Sequence, residues 1–253
     1  MVESSLGLGI ATRRVLADVV TDDLRDAIIA HELEPGRRLA EDDLANQMGV
    51  SRGPVREALA RLESDGLIAK EPLKGYKATD LLSLKEFNDL FQFRLLIEPW
   101  AAEQAAKLVD NTGKTALKAE MQSANTALKI SGDDQFQALT EHDARFHALI
   151  ASISGNQSVA DSYERTHCHL HLFRLFMANR LHQIDGESRA KFVQDLFDEY
   201  YQAGSGQLAI KEHDVIAKAI IAQNSKAARS AMHAHIESSL KRFAPAAQAI
   251  NKK

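Results

Sequence analysis

Asp143 and His147 stand four residues apart in the stretch EHDARFHALI, residues 141–150. On a helix that spacing stacks the two side chains on one face. A carboxylate above an imidazole can ligate a metal, run acid–base chemistry, or simply hold a core together. Two later histidines extend the pattern. If the chain turns at Asn224, His213 and His235 each lie eleven residues from that turn. In an antiparallel helical hairpin, positions equidistant from the turn share one height, so these two imidazoles can converge. Three helices would then supply Asp143, His147, His213 and His235. Such a set suits Zn(II), Ni(II) or a similar divalent ion. The competing reading, in which each histidine lies on a polar face or satisfies its own core hydrogen bond, carries equal weight on register alone.

Other polar groups could line a pocket beside such an ion. His167, His171 and Arg174 follow an i, i+4, i+7 rhythm that puts them on one face of a helix predicted over 157–183. Arg94 and Glu98 share a face of an earlier helix. A bundle arginine can bind a ligand carboxylate, so Arg94, His171 and Arg174 are candidate effector contacts. A buried Arg94–Glu98 pair would be equally ordinary structure. In HCHLH (167–171), residues two apart point to different sides of a helix, so most of these histidines are not expected to be ligands.

These groups need elements to position them. Of ten histidines only His31 precedes residue 142, and the other nine fall between His142 and His235. Helix formers fill most of the chain beyond residue 80. SLKE (83–86) is a capping box that announces a helix over 84–108. Further helices are predicted over 113–130, 134–152, 157–183, 188–203, 208–223 and 226–243, separated by DNTG, SGDD, SGNQ, IDGE and GSG. Short connections between amphipathic helices imply an antiparallel bundle. PAAQAINKK at the end reads as a frayed tail.

Before residue 80 the pattern changes. A helix over 13–33 carries Val15, Val19, Leu24 and Ile28 along one side, and EPGRRL breaks it with a Pro-Gly turn. Helix resumes from Glu41 to Met48, and MGVS turns through Gly49. A third helix opens at Ser51, whose side chain can cap it, and runs to Ser64. DGLIAKE (65–71) and GYKATD (75–80) form a hairpin around PLK. Three helices followed by a hairpin is the layout of a winged helix-turn-helix. On the third helix Val55, Ala58, Leu59 and Leu62 face inward against Leu44 and Met48. Arg52, Gly53, Arg56 and Ala60 face outward. Two arginines among small residues suit close approach to DNA, contacting guanine edges or phosphates. Lys74 and Gly75 on the wing can reach the neighbouring groove. Residues 1–80 carry 11 basic and 15 acidic side chains, so any such surface is local.

EPGRRLAEDDLANQMGVSRGPVREALARLESDGLI…KGY resembles the DNA-binding domain of GntR-family bacterial transcription regulators over residues 34–76. The resemblance implies that Arg52 and Arg56 contact operator DNA, with Ser51, Gly53 and Gly75 close to its backbone. Gly53 stands where a threonine is common, and Asp42 where some members carry a DNA-contacting arginine. The helical part resembles the FCD-type ligand-binding domain of the FadR subfamily. Its marks are FRLLIEPWAAEQAA, D-x-x-F-H at 143–147, SGN, EHDVIAKAI and AMHAHI. Metal-binding members carry D-x-x-x-H and two later histidines, matching Asp143, His147, His213 and His235.

The expected fold is mainly α, with a winged helix-turn-helix over 1–80 and an all-α, metal- and effector-binding bundle over 81–253. The expected function is ligand-responsive transcriptional regulation, as a repressor. The resemblance implies a homodimer on a pseudo-palindromic operator, responding to a small carboxylate. A metal-dependent hydrolase and a regulator with a purely structural ion are the alternatives; the first lacks H-E-x-x-H or a comparable motif and ignores residues 1–80. A single cysteine, Cys168, precludes an intrachain disulfide. With no signal-peptide pattern and no membrane-length apolar run, the expected setting is cytoplasmic.

Overall fold

A computed structural model describes residues 7–29, 32–72, 74–129, 133–180 and 205–250. The chain divides into two compact units, Met1–Leu81 and Leu82–Lys253. Among the described residues no helix is long and apolar enough to cross a membrane.

The first unit opens with α1 (Gly7–Ile29), followed by β1 (Arg38–Leu39), α2 (Glu41–Met48), α3 (Arg52–Ser64), β2 (Ile68–Glu71) and β3 (Gly75–Ala78). Its core is the face of α3 that carries Val55, Ala58, Leu59 and Leu62, all fully buried. Against it α1 sets Ala17, Val20, Leu24 and Ile28. Two of the expectations for α1 are corrected. The helix ends at Ile29 instead of reaching residue 33, with Leu33 N–H turning back onto the Ala27 carbonyl. Val19 is 48% exposed while its neighbour Val20 is buried, because the stripe facing α3 runs 17, 20, 24, 28. The side chain of Val15 lies outside the described residues.

The connection from α2 to α3 is tight because Gly49 takes a left-handed φ of 65°, which costs a side chain-bearing residue energy. Ser51 occupies the N-cap of α3 with an extended backbone, yet makes no side-chain cap hydrogen bond, so its predicted capping role is not realised. The sheet has the order β1-β3-β2 and is antiparallel throughout. Arg38 and Leu39, read from sequence as part of a turn, pair with Lys77 and Tyr76. The wing hairpin pairs Ile68 with Ala78 and Glu71 with Gly75.

The second unit contains α4 (Leu84–Leu108), α5 (Asn111–Ala127), α6 (Asp133–Ile153), α7 (Gln157–Glu164), α8 (Cys168–Arg180), α9 (Ser205–Ile221) and α10 (Ser225–Ile250). The fold is mainly helical, as expected. α4 packs chiefly on α10 and α6, through Phe87, Phe91 and the small residues Ala101, Ala102, Ala105 and Ala106. Small side chains let the helix axes approach closely.

Two helix expectations need correction, and a third is not described. The predicted 157–183 helix is two helices, α7 and α8, broken where His167 adopts a φ of 45°. The segment 188–203 lies outside the described residues. The supposed tail is helical to Ile250, with Ala247 fully buried.

The Ser83–Glu86 capping box is present in both directions: Glu86 N–H donates to Ser83 Oγ, and Ser83 N–H donates to Glu86 Oε2 at 2.8 Å. Because α4 lies at the centre of the unit, Ser83→Ala should cost about 1 kcal/mol and lower the unit's thermal midpoint by about 2–4 °C. Differential scanning calorimetry checks this; an unchanged midpoint would show that the box adds nothing.

Candidate functional site

In the first unit the outward face of α3 is open. Arg52 and Arg56 side chains are each about two-thirds exposed. Arg52 Nε meets Asp42 Oδ1 at 2.5 Å, and Arg56 meets Glu41 Oε2 through Nη2 at 3.1 Å and Nε at 3.2 Å. The first turn of α2 thus supplies a carboxylate to each arginine. Exposed pairs of this kind contribute about 0–1 kcal/mol, so phosphate or a base edge can displace them. Gly53 is half-buried and Ser51 exposed beside these arginines. On the wing Lys74 is exposed and reaches Glu71 only at 4.0 Å. Gly75 holds the turn with a φ of 87°.

The second unit contains the opposite arrangement, a cluster of three buried histidines with a half-buried Asp143. Asp143, His147, His213 and His235 each bring one ligand atom to within 4.8 Å of all the others. α6 places the first two one turn apart. The α9–α10 turn, where Asn224 Oδ1 caps the second helix at Ala227 N–H, brings His213 Nε2 to 3.3 Å from His235 Nε2. Asp143 Oδ1 lies 3.3 Å from His213 Nε2 and 3.7 Å from His147 Nε2. His147 is buried, and its Nε2 has no hydrogen-bond partner among the described residues.

Every inward-facing atom is backed by an outer contact. His147 Nδ1 sits against Glu98 Oε2, and Glu98 Oε1 takes a 2.5 Å hydrogen bond from Arg94 Nε. His235 Nδ1 donates to Glu212 Oε2 at 2.8 Å, and Arg242 donates to both oxygens of Glu212. His213 Nδ1 lies 3.0 Å from His142 Nε2, and His142 Nδ1 donates to Glu120 Oε1 at 2.8 Å. Asp143 Oδ2 accepts from His169 Nδ1 at 2.6 Å.

Burial sets the protonation states. It pushes His147, His213 and His235 each down to about 4. Burial alone would raise Asp143; the charges of His147 and His169 overcome it and hold the carboxyl well below its ordinary value. Burial would also depress His169, but the neighbouring Cys168 and Asp143 push it up to about 10. At neutral pH the inner set is therefore three neutral imidazoles and one carboxylate. Metal ligands must be deprotonated, and an orphaned, buried Nε2 faces the same point. The residues fit a divalent ion.

Of the predicted effector contacts, Arg94 is fully buried and committed through Nε to Glu98, while its Nη2 has no hydrogen-bond partner among the described residues. Arg174 is buried too. His171 is influenced by Arg174, His167 and Glu86, a set distinct from the metal cluster. His167 precedes the first turn of α8, so it does not share a helical face with His171 and Arg174. The break also restarts the helical register. It carries His169, discounted in the sequence, onto Asp143.

Family models match this architecture. Residues 16–77 match that of bacterial regulatory proteins, gntR family, and residues 89–238 match the FCD domain. The chain belongs to the GntR family of regulators with an FCD domain. The uncharacterised HTH-type regulator YdhC of Bacillus subtilis is 25% identical over 212 residues, covering 84% of each chain. An Escherichia coli protein named for regulation of an L-lactate dehydrogenase operon is 26% identical over 256 residues, 91% of this chain and 88% of that protein. The solved structure of E. coli McbR/YncC superposes with a TM-score of 0.60 over 89% of this chain and 95% of that one, at 18% identity. This GntR regulator is thus a DNA-binding transcriptional regulator, and its relatives are regulators, not enzymes.

The protonation states carry a pH signature. His147, His213 and His235 titrate near 4 when folded against an ordinary 6.5. Between those values the unfolded chain binds more protons, so stability falls as pH drops from 6.5 to 4. His171, also about 4, adds the same sign. His169 is protonated in both states below 6.5 and does not oppose it. Chelator-treated protein should therefore melt progressively lower from pH 7 to 4.5, with proton uptake on unfolding. A flat midpoint across that window would contradict the buried neutral imidazoles.

Proposed function

We propose that this regulator reads a pseudo-palindromic operator as a homodimer, and that its helical unit holds a divalent ion beside a small carboxylate effector. The observation that carries this reading is the convergence of Asp143, His147, His213 and His235, deprotonated and backed by partners, in a unit separate from the winged helix. Zn(II) or Ni(II) suits that donor set. When bound, the ion supplies positive charge for a carboxylate. Arg94 supports the same ligand class: its buried Nη2 has no hydrogen-bond partner among the described residues, and an acceptor reaching it would relieve about 1–3 kcal/mol. The relative named for an L-lactate dehydrogenase operon is consistent with a small acid of this kind. Arg174 and His171 are proposed as further contacts, His171 lying in an electrostatic neighbourhood set by Arg174, His167 and Glu86.

On the DNA side, Arg52 and Arg56 are the proposed base and phosphate contacts. Ser51, Gly53 and Gly75 lie close to the DNA backbone, and Lys74 reaches from the wing. The proposed sign is repression relieved by the acid, through preferential binding to the dimer state of lower operator affinity. The proposed setting is the cytoplasm.

Arg52→Ala should weaken operator binding by about 1–3 kcal/mol with the fold intact. Fluorescence anisotropy on operator DNA checks this, and unchanged affinity would remove Arg52 from the interface. His213→Ala should lower bound zinc, measured by elemental analysis after gel filtration; full occupancy would take His213 out of the site. The reading as a whole is tested by thermal-shift titration with mono- and dicarboxylic acids on zinc-loaded and chelator-treated protein. Shifts confined to the loaded protein support an ion that meets the effector. Shifts that survive chelation assign the ion a structural role and move the effector site toward Arg94 and Arg174.

A further inference from the structure

We infer that His142 is a positioning residue that sets the proton of His213, so that His213 Nε2 is a free lone pair before any metal arrives. The inference rests on the proposed metal site and identifies what makes one of its ligands ready. His142 is fully buried on α6, adjacent in sequence to Asp143 but turned toward α5 and α9. It bridges Glu120 Oε1, 2.8 Å from its Nδ1, and His213 Nδ1, 3.0 Å from its Nε2.

A neutral imidazole carries one proton, and for His213 three acceptors lie within reach of it. On one side His142 Nε2 stands 3.0 Å from His213 Nδ1; on the other, Asp143 Oδ1 and His235 Nε2 each stand 3.3 Å from His213 Nε2. The two outcomes differ chemically. A proton on Nδ1 leaves Nε2 facing His235 and Asp143 as a lone pair. A proton on Nε2 blocks the metal-facing atom and satisfies Asp143 instead. The contact to His142 is the shortest of the three, and Glu120 fixes the part His142 plays in it. A carboxylate only accepts, so a neutral His142 holds its proton on Nδ1 toward Glu120, and its Nε2 is then the acceptor that draws the His213 proton outward. Arg145 Nε donates to both oxygens of Glu120, at 3.3 and 3.1 Å, and keeps that carboxylate in place.

Orientation of the His213 ring has a separate cause. Phe146 stacks on it with centroids 4.2 Å apart and planes 16° from parallel. Stacking fixes the plane of the ring and leaves the tautomer open, which is the choice His142 makes. His147 and His235 need no such relay, because Glu98 and Glu212 contact their Nδ1 atoms directly. His213 has an imidazole in that place, itself backed by a carboxylate.

The test uses the full-length chain. In chelator-treated wild-type protein, imidazole ¹⁵N shifts should show the His213 proton on Nδ1, with a coupling across the hydrogen bond to His142 Nε2. A proton found on Nε2 overturns the inference without any variant. In His142→Leu, which fills the space but accepts nothing, the proton should move to Nε2. The Kd for Zn²⁺, read by chelator competition, should rise about 10–100-fold. His142→Gln, whose amide oxygen can occupy the Nε2 position, should recover most of that affinity. Wild-type zinc affinity in a cooperatively melting His142→Leu variant overturns the inference, even while Asp143→Ala and His235→Ala lose zinc and leave the metal site standing. If the wild-type protein itself takes up no zinc, the metal reading fails first, and the tautomer measurement still decides the role of His142.

Discussion

Three imidazoles and a carboxylate cannot be buried side by side in a helical bundle unless each outer atom has a partner, and the second unit is arranged around that constraint. Charge alternates outward along each line. Arg94 holds Glu98 and Glu98 holds His147; Arg242 holds Glu212 and Glu212 holds His235; Arg145 holds Glu120, which holds His142 and through it His213. A buried ion pair recovers its desolvation cost only with good geometry and satisfied neighbours, and networks of this sort tolerate little displacement. α4, α5, α6, α9 and α10 each contribute to at least one line, so the cluster constrains helix placement as much as the apolar core does. Phe146, fully buried, stacks on His213, and Phe91, also fully buried, lies against Arg94.

The first unit treats its polar groups in the opposite way. Arg52 and Arg56 are paired too, with Asp42 and Glu41, but in water, where each pair is weak and exchangeable. That suits a surface that must trade one anion for another. It also fits the proposed DNA-reading face to a unit whose sequence is more acidic than basic: the acidic side chains of α2 rest on the arginines and can yield to phosphate. Asp42 serves as the partner of Arg52.

What could be read from the sequence follows from how locally each feature is encoded. Gly49 and Ser83 with Glu86 are signals within a few residues, and the elements they bound came out close to their observed limits, whereas the Pro-Gly turn marked a break without locating the end of α1. The four clustered residues were accessible because two short-range rules reach them, the i, i+4 stack of Asp143 with His147 and the equidistance of His213 and His235 from Asn224. β1 escaped because two residues of strand leave no periodicity. His169 escaped because an unbroken 157–183 helix was assumed, and the left-handed residue at 167 is a histidine, where glycine or asparagine would have signalled a stop.

His142 and Glu120 show the harder limit. Position 120 lies on α5 and position 142 on α6, and no local rule relates the two, since their meeting depends on how those helices slide along one another. Neither residue type is unusual alone: a surface glutamate and a histidine beside a candidate ligand both read as solvated side chains. Only the packed structure shows that the glutamate is a fixed acceptor and the histidine an intermediate. The partners that orient a ligand are spread through the tertiary contacts, whereas the ligand itself can lie in a short motif. A sequence can therefore announce a metal-binding pattern well before it reveals whether the pattern is held in its working protonation state.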